Sequence, residues 1–245
     1  MELKNIFKME MYKNRNDKPY LLVIAILTAM SAASTFLGVA TIEGKIMNED
    51  GLFAIMVTLI VFTILGLGVF SLLYPFHLLN VDYRNKVMSL IFASGVSREK
   101  YYFVKISATI LACFVAAIVI LFIPIVTFLL VYPEVFVKMM QEVIQNFAIS
   151  NIIPFMLAAI FSSLAYFVML TTSVIITKGK VAGIFIFLGF SFAISTIQSM
   201  FSFPLLLTLK DYSINLYLNV ATLFSIVQIV VFVLIGLNVL KKQDL

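Results

Sequence analysis

Six long apolar runs dominate the chain and restrict what it can fold into. They cover about residues 19–40, 52–79, 106–131, 152–176, 181–207 and 216–240. A helix of about 20 apolar residues crosses the hydrocarbon core of a bilayer. Hydrophobic residues make up 62% of the chain and charged residues only 12%, which leaves too little polar surface for a soluble globule. The sequence therefore predicts an all-α, polytopic membrane protein, a single transmembrane domain over residues 1–245 with six transmembrane helices.

The positive charges lie mostly on one side of this span pattern. Of the 17 Lys and Arg residues, only Lys45, Lys138 and Lys210 fall on the opposite side. Cytoplasmic loops of membrane proteins carry the excess of Lys and Arg. We therefore expect both termini and segment 80–105 in the cytoplasm. The net charge of +5 then reflects membrane topology and not a nucleic-acid partner.

The first apolar run has a second interpretation. Small residues at Ala29-Met30-Ser31 or Ser31-Ala32-Ala33 are typical of the cleavage site of a signal peptide. The run continues past both sites, and the charged region before it is long for a secretory signal. These features favour a transmembrane helix.

Residues 1–18 form a basic stretch with helical periodicity. Its apolar residues recur at Leu3, Ile6, Phe7 and Met11. A basic amphipathic helix lies in the headgroup layer with its cations toward anionic lipid, so we predict an N-terminal interfacial helix that contacts membrane lipid. Glu10 falls near the edge of the apolar face. We hypothesise that it pairs with a basic residue of segment 80–105, and a solvated glutamate is the alternative.

Segment 80–105 is the only long charged interval between two membrane-length apolar runs. On a helical wheel its apolar face comprises Val87, Met88, Ile91 and Phe92. The opposite face is polar, which predicts a short amphipathic helix. We expect Gly95 to end that helix and Ser97 to cap the next one.

Three motifs of this segment resemble the first cytoplasmic loop of type-2 ATP-binding-cassette (ABC) exporter permeases. They are Asp82-Tyr83-Arg84, the run from Met88 to Ser94, and Val96-Ser97-Arg98 with a closing Lys105. Lys86-Val87 stands where the family has Gly-Thr, and Gly95 where it has proline. The six-span layout extends the resemblance over nearly the whole chain. An ordinary basic interfacial loop is the alternative interpretation.

The resemblance implies partners and a set of contact residues. In that family the loop contains a cytoplasmic coupling helix that sits on a separate ATPase subunit, which binds ATP and Mg. The implied coupling residues are Asp82, Tyr83, Arg84, Val87, Met88, Ile91, Phe92, Val96, Ser97 and Arg98. A second permease subunit, identical or related, would complete the transporter.

The resemblance also implies a function. The expected protein is the permease subunit of an exporter in the bacterial plasma membrane that moves hydrophobic or amphipathic peptides out of the cell. Small size, minimal external loops and uncharged span cores resemble the branch that exports bacitracin, lantibiotics or phenol-soluble modulins. An exporter of small lipophilic drugs is the nearest alternative. Outside this class, the alternative is a non-transporting integral membrane partner protein.

The sequence contains no recognisable catalytic motif. It has one histidine and one cysteine, with no GxSxG or HExxH pattern. Neither Gly44-Lys45 nor Gly179-Lys180 has the upstream glycine of a P-loop. We therefore expect no enzymatic activity, metal or cofactor in this chain itself. The span cores also lack the ionisable groups that ion-coupled carriers use.

Two predicted spans carry stripes of uncharged polar residues. The stripes comprise Ser191, Ser195, Gln198 and Ser202 in the fifth span, and Asn219, Thr222, Ser225 and Gln228 in the sixth. One interpretation is a polar translocation path for the cargo. The other is helix packing, a common use of small and amide side chains in spans.

The topology predicts where introduced cysteines react. In a Cys113→Ala background, Arg98→Cys should react with a membrane-impermeant maleimide only after the membrane is permeabilised, because segment 80–105 is cytoplasmic. Glu134→Cys, after the third span, should react in intact cells. Labelling of Arg98→Cys in intact cells would refute this topology.

Overall fold

The structure, a computed structural model, describes residues 3–42, 50–134, 137, 141, 149–208 and 214–243. Within these ranges the chain forms eight helices and no β-strand. The helices are α1 (Leu3–Asn16), α2 (Lys18–Ile42), α3 (Asp50–Arg84), α4 (Val87–Ala93), α5 (Arg98–Val131), α6 (Ile149–Ile176), α7 (Ala182–Thr208) and α8 (Ile214–Lys242).

Six of the described helices are long and apolar enough to cross a membrane. They are α2, α3, α5, α6, α7 and α8. The predicted all-α fold with six membrane-length helices is confirmed. The three cations that the topology places on the opposite side, Lys45, Lys138 and Lys210, lie outside the described residues.

Helices α3 and α5 are longer than the apolar runs that predicted them. α3 continues past Leu79 to Arg84, and α5 begins at Arg98 rather than at Ile106. Hydropathy marks only the part of a helix that suits hydrocarbon, whereas backbone hydrogen bonds continue beyond it. With 35 and 34 residues, the helices are each about 50 Å long, well above a hydrocarbon thickness of about 30 Å. Their charged ends therefore extend beyond any hydrocarbon core that they cross.

The chain forms two compact units. Of the described residues, the first unit contains 3–6, 75–107, 149–208 and 214–243. The second unit contains 7–42, 50–74, 108–134, 137 and 141. Helices α1, α3 and α5 contribute residues to both units.

In the first unit, α6 and α8 pack side by side and run parallel. The hydroxyls of Ser162 and Ser225 lie 3.0 Å apart, and Thr172 donates a hydrogen bond to the carbonyl of Phe232 at 3.0 Å. Residues of the two helices pair at a nearly constant sequence offset, so both helices point the same way. This is the direction that the fourth and sixth spans share in an alternating topology. Residues 167–175 of α6 are all buried, so protein surrounds this part of the helix.

In the second unit, side chains from α1, α2 and α3 meet the start of the apolar part of α5. Asn14 donates to the carbonyl of Ala108 at 3.3 Å and accepts from the Tyr74 hydroxyl at 3.2 Å. The Tyr20 hydroxyl donates to the carbonyl of Ala112 at 2.9 Å. The rings of Tyr20 and Tyr74 also pack together, with centroids 4.6 Å apart. These contacts fix the beginning of α2 against α3 and α5.

A close contact at Gly236 makes the packing of α6 on α8 sensitive to one methyl group. A Cβ there would lie 2.8 Å from Thr172 Oγ1 and 2.8 Å from Tyr102 Oη. These two hydroxyls are buried and hydrogen-bonded at 3.1 Å. Overpacking costs about 1–3 kcal/mol, and the better helix propensity of alanine returns about 0.5–1 kcal/mol. Gly236→Ala should therefore lower the thermal unfolding temperature of the protein in detergent.

Gly189→Ala in α7 is the matched control. No neighbouring atom of the described chain lies within 4 Å of a Cβ at that glycine. This variant should leave the unfolding temperature unchanged or raise it slightly. An equal loss of stability in both variants would contradict the packing.

Candidate functional site

The segment between α3 and α5 contains the short helix that the sequence predicts, α4, and its turns are set by backbone geometry. Lys86, before α4, and Gly95, after it, have positive φ angles of 53° and 85°. The Gly95 amide donates to the carbonyl of Phe92 at 3.0 Å, a helix end that suits a residue without Cβ. Ser97 Oγ accepts the amide of Lys100 at 3.3 Å, so the predicted N-cap of α5 is present.

A buried ion pair joins the end of α3 to the start of α5. Lys105 Nζ lies 2.6 Å from Asp82 Oδ2, and the Tyr101 hydroxyl donates to the same oxygen at 2.7 Å. All three side chains are only 1–2% exposed. A buried charge is costly unless a counter-charge and hydrogen bonds compensate for lost hydration. Here Asp82 has both, so α3 and α5 are held together where α4 begins and ends.

Arg98 connects the turn after α4 to the end of α8. Its Nη1 donates to the carbonyl of Leu240 at 2.7 Å and to that of Lys241 at 2.6 Å. Its guanidinium carbon also lies 5.6 Å from the ring centre of Phe92. The last carbonyls of a helix have no partner within the helix and carry the negative end of its dipole. Arg98 therefore stabilises the C-terminus of α8 while it fixes the loop.

Two further contacts link this segment to α6 and α8. The Tyr83 hydroxyl donates to Gln243 Oε1 at 2.9 Å, and Gln243 Nε2 donates to the carbonyl of Ile175 at 2.7 Å. Glu99 also forms an ion pair with Lys241. Because the side chains of Glu99 and Lys241 are 54% and 55% exposed, solvent screens this pair and it contributes little to stability. The hydrogen bonds of Gln243 are the stronger connection.

Helix α4 turns its apolar face toward the interior of the chain. Met88 and Ile91 are 1% and 8% exposed. Phe92 packs edge-on against Tyr101, with ring centroids 5.4 Å apart. Leu90, on the other side of the helix, is 70% exposed. Of the side chains that the sequence predicts as the ATPase contact, Met88 and Ile91 are therefore buried within the chain and Val87 and Phe92 are half-buried. The contact with an ATPase stays a prediction.

The other predicted coupling residues differ in exposure. Val96 is buried, Tyr83, Val87 and Arg98 are half-buried, and Arg84 and Ser97 are exposed. Arg84 also lines a cationic hollow of about 590 Å³ together with Lys178 and Lys180 of the turn between α6 and α7. A Cβ on Gly179 would lie 3.1 Å from the Cα of Asn80. This turn thus approaches the end of α3 closely and places positive charge there.

Helix α1 buries a mixed face rather than the purely apolar face that the sequence predicts. Ile6, Glu10 and Asn14, spaced by four residues, are 0%, 1% and 3% exposed, and Phe7 is half-buried. Lys13 Nζ lies 2.8 Å from Glu10 Oε1. A buried carboxylate and amide need polar partners, so this face of α1 lies against protein. The pairing of Glu10 with segment 80–105 stays a prediction.

The polar stripe of α8 lies partly in the contact with α6. Ser225 Oγ lies 3.0 Å from Ser162 Oγ, and Gln228 Nε2 lies 3.5 Å from Met169 Sδ. Both side chains therefore lie at the contact between α8 and α6. Ser195 and Asn219 are exposed, whereas Ser191, Gln198 and Thr222 are half-buried; the side chain of Ser202 lies outside the described residues.

The sequence analysis did not identify the residues at the end of α8 that bind segment 80–105. Arg98 and Leu240 are 142 residues apart, and Tyr83 and Gln243 are 160 apart. No local pattern signals such contacts, because any residue has a carbonyl that can accept a hydrogen bond. Among the described residues, no group of three or more His, Cys, Asp or Glu side chains could hold a metal ion.

The fold defines the class of protein as an α-helical membrane protein with six membrane-length helices. Comparisons with protein-family models, with curated proteins and with solved structures give no match. A finer functional assignment therefore depends on segment 80–105 and the contacts around it.

Removal of one member of the buried pair should destabilise the first unit strongly. Asp82→Asn removes the negative charge that lies 2.6 Å from the buried Lys105, and breaking a buried pair costs about 3–5 kcal/mol. We expect a marked fall in the thermal unfolding temperature of the protein in detergent. The double variant Asp82→Asn/Lys105→Met removes both charges and should recover most of that loss.

Glu99→Gln is the control, because it removes an exposed ion pair on the same segment and should change stability little. If Asp82→Asn lowered the unfolding temperature no more than Glu99→Gln, the buried pair would not stabilise the first unit as predicted.

Proposed function

We propose that this chain is the permease subunit of an ATP-driven ABC exporter of the type-2 class. The observation that carries the proposal is α4, a short helix between two membrane-length helices that is packed on one face and exposed at Leu90 on the other. The motifs that resemble the family's first cytoplasmic loop fall on the last turn of α3, on α4, and on the turn that leads into the start of α5.

A helix that transmits force must be connected rigidly to the helices on either side of it. For α4 these are α3 and α5. The joint before α4 is held by the buried contacts of Asp82 with Tyr101 and Lys105. The joint after it is held by Arg98 on the last carbonyls of α8. A push on α4 would therefore move α3, α5 and α8 rather than bend a loop. Packed helices respond to such a push by shifting between discrete arrangements.

The ATPase subunit would contact α4 on the side of Leu90. The rest of the chain covers little of the Leu90 side chain, so a partner can still bury it. The cations of the hollow beside the end of α3, Arg84, Lys178 and Lys180, would complement an acidic surface on that partner. ATP and Mg would be bound by the ATPase subunit and not by this chain.

The distribution of Lys and Arg supports the location and orientation of the proposed exporter. It favours a cytoplasmic α4 and cytoplasmic termini. The resemblance to bacterial peptide exporters implies that the membrane is the plasma membrane of a bacterium. Two permease subunits, identical or related, would then form the translocation cleft between them, each docked on an ATPase.

For the cargo we favour hydrophobic or amphipathic peptides. Spans with almost no ionisable residues suit a cargo with a large apolar surface. An exporter of small lipophilic drugs would use the same coupling element, so a transport assay with both kinds of cargo separates the two. A non-transporting partner protein would neither bind an ABC ATPase nor respond to ATP.

Leu90→Ala should weaken the complex with the ATPase. The chain is coexpressed with each ABC ATPase of the same genome that lacks membrane spans of its own, and the affinity is measured with the purified subunits in detergent. Burial of a leucine side chain contributes about 1.5–3 kcal/mol, so the dissociation constant should rise about tenfold or more. Membrane insertion and thermal stability should be unchanged, because Leu90 is exposed in the isolated chain.

Leu234→Ala is the matched control, since Leu234 is 63% exposed on α8, away from the coupling segment. It should leave ATPase affinity unchanged. Equal affinities for all three proteins would exclude α4 as the docking element, and a chain that binds no ABC ATPase would overturn the proposed function itself.

A further inference from the structure

An apolar groove opens in the second unit where α1, α2 and α5 meet. Its volume is about 600 Å³, within the range of about 300–1,000 Å³ for small-ligand sites. We call it the Arg15 groove, and its walls include Tyr12, Arg15, Leu21, Ile24, Val115 and Val119.

The Arg15 groove is polar at one end and apolar along its length. Its polar end lies on α1, where Asn14 bonds to the carbonyl of Ala108. Beyond that contact, α5 contributes Val115 and Val119, about two and three turns past Ala108, and α2 contributes Leu21 and Ile24. An occupant that matches this groove has one polar end and one apolar tail.

The floor of the groove is preformed. Tyr20 and Ala112 both line it, and the Tyr20 hydroxyl donates to the Ala112 carbonyl at 2.9 Å. The Tyr20 ring is held in turn by Tyr74. A pocket whose walls are already ordered binds its ligand at a lower entropic cost than a surface that must rearrange.

The charge at the polar end selects an anion. Arg15 is exposed, and the exposed cations Lys4, Lys8 and Lys18 lie on or beside the same helix. Such a cluster attracts acidic lipid head groups and repels a cationic amphipathic peptide. Since α2 is one of the membrane-length helices, bilayer lipid is the amphiphile that this surface meets at the highest concentration.

We propose that the Arg15 groove binds one anionic glycerophospholipid of the bilayer. Its phosphate contacts Arg15, and an acyl chain lies along the aliphatic side chains of α2 and α5. The lipid thereby joins α1 to both helices. The site is independent of the ATPase contact on α4 and holds whether or not the chain is an exporter.

The chain contains no tryptophan, so one introduced tryptophan reports on the groove alone. Val115→Trp places it in the wall, and Val119→Trp is a second reporter should the first variant fail to fold. The full chain is reconstituted in vesicles in which either phosphatidylcholine or an added fraction of phosphatidylglycerol carries brominated acyl chains, which quench nearby tryptophan fluorescence. Phe192→Trp, at a position 75% exposed on α7, reports on bulk lipid.

We expect brominated phosphatidylglycerol to quench the groove tryptophan with about fivefold higher apparent affinity than brominated phosphatidylcholine. Phe192→Trp should show no preference. Arg15→Gln should abolish the preference at the groove. Lys8→Gln removes an exposed cation of the same helix that does not line the groove, and it should leave most of the preference intact. In native mass spectrometry, the wild-type chain should retain one phosphatidylglycerol that Arg15→Gln loses.

Three results would overturn the proposal. The first is equal quenching by the two lipids, and the second is a preference that survives Arg15→Gln. The third is a groove tryptophan that neither brominated lipid reaches, because the groove is then filled by something else, such as a second copy of this chain or a cationic peptide.

Discussion

The buried contact between Asp82 and Lys105 is the interaction on which the arrangement of the first unit depends. It lies where two helices of more than 30 residues each leave their apolar stretches, so it decides how closely their charged ends approach. Tyr101 adds a second donor to the same carboxylate oxygen. Because separation of the pair would leave a charge in a dry interior, α3 and α5 are held as one body, and α4 has a fixed base.

The ends and the inner face of α4 are held by contacts within the chain, whereas its outer face is exposed. This difference matters for function. Both ends of α4 are held by charged or polar contacts, and its inner face is filled by Met88 and Ile91. Its outer face retains an exposed leucine. A helix that served only to connect two spans would not need an arginine directed onto the end of α8. Contacts within the chain fix the position of α4. Its exposed face is then available to the ATPase subunit proposed above.

The sequence could predict what depends on neighbouring residues. Six membrane-length helices follow from six apolar runs. The end of α4 follows from Gly95 and the start of α5 from Ser97, because the effects of both residues are local. The sequence could not predict that other residues of the same chain cover the apolar face of α4. An amphipathic pattern indicates that a face is buried, but it does not indicate which residues bury it. Glu10 shows the same limit, since its burial beside Ile6 and Asn14 depends on distant packing. Arg98 donates to backbone carbonyls. Every residue has such a carbonyl, so the residue types at these positions do not indicate the contact.

The hydrogen bonds between Arg98 and α8 have a consequence for biosynthesis. The acceptor at Leu240 leaves the ribosome 142 residues after the arginine that binds it. Throughout that interval the turn after α4 lacks its anchor, while the contacts of Asp82 can already form. The order of synthesis therefore lets the contacts of Asp82 form first, and the turn after α4 is fixed only once α8 has been made.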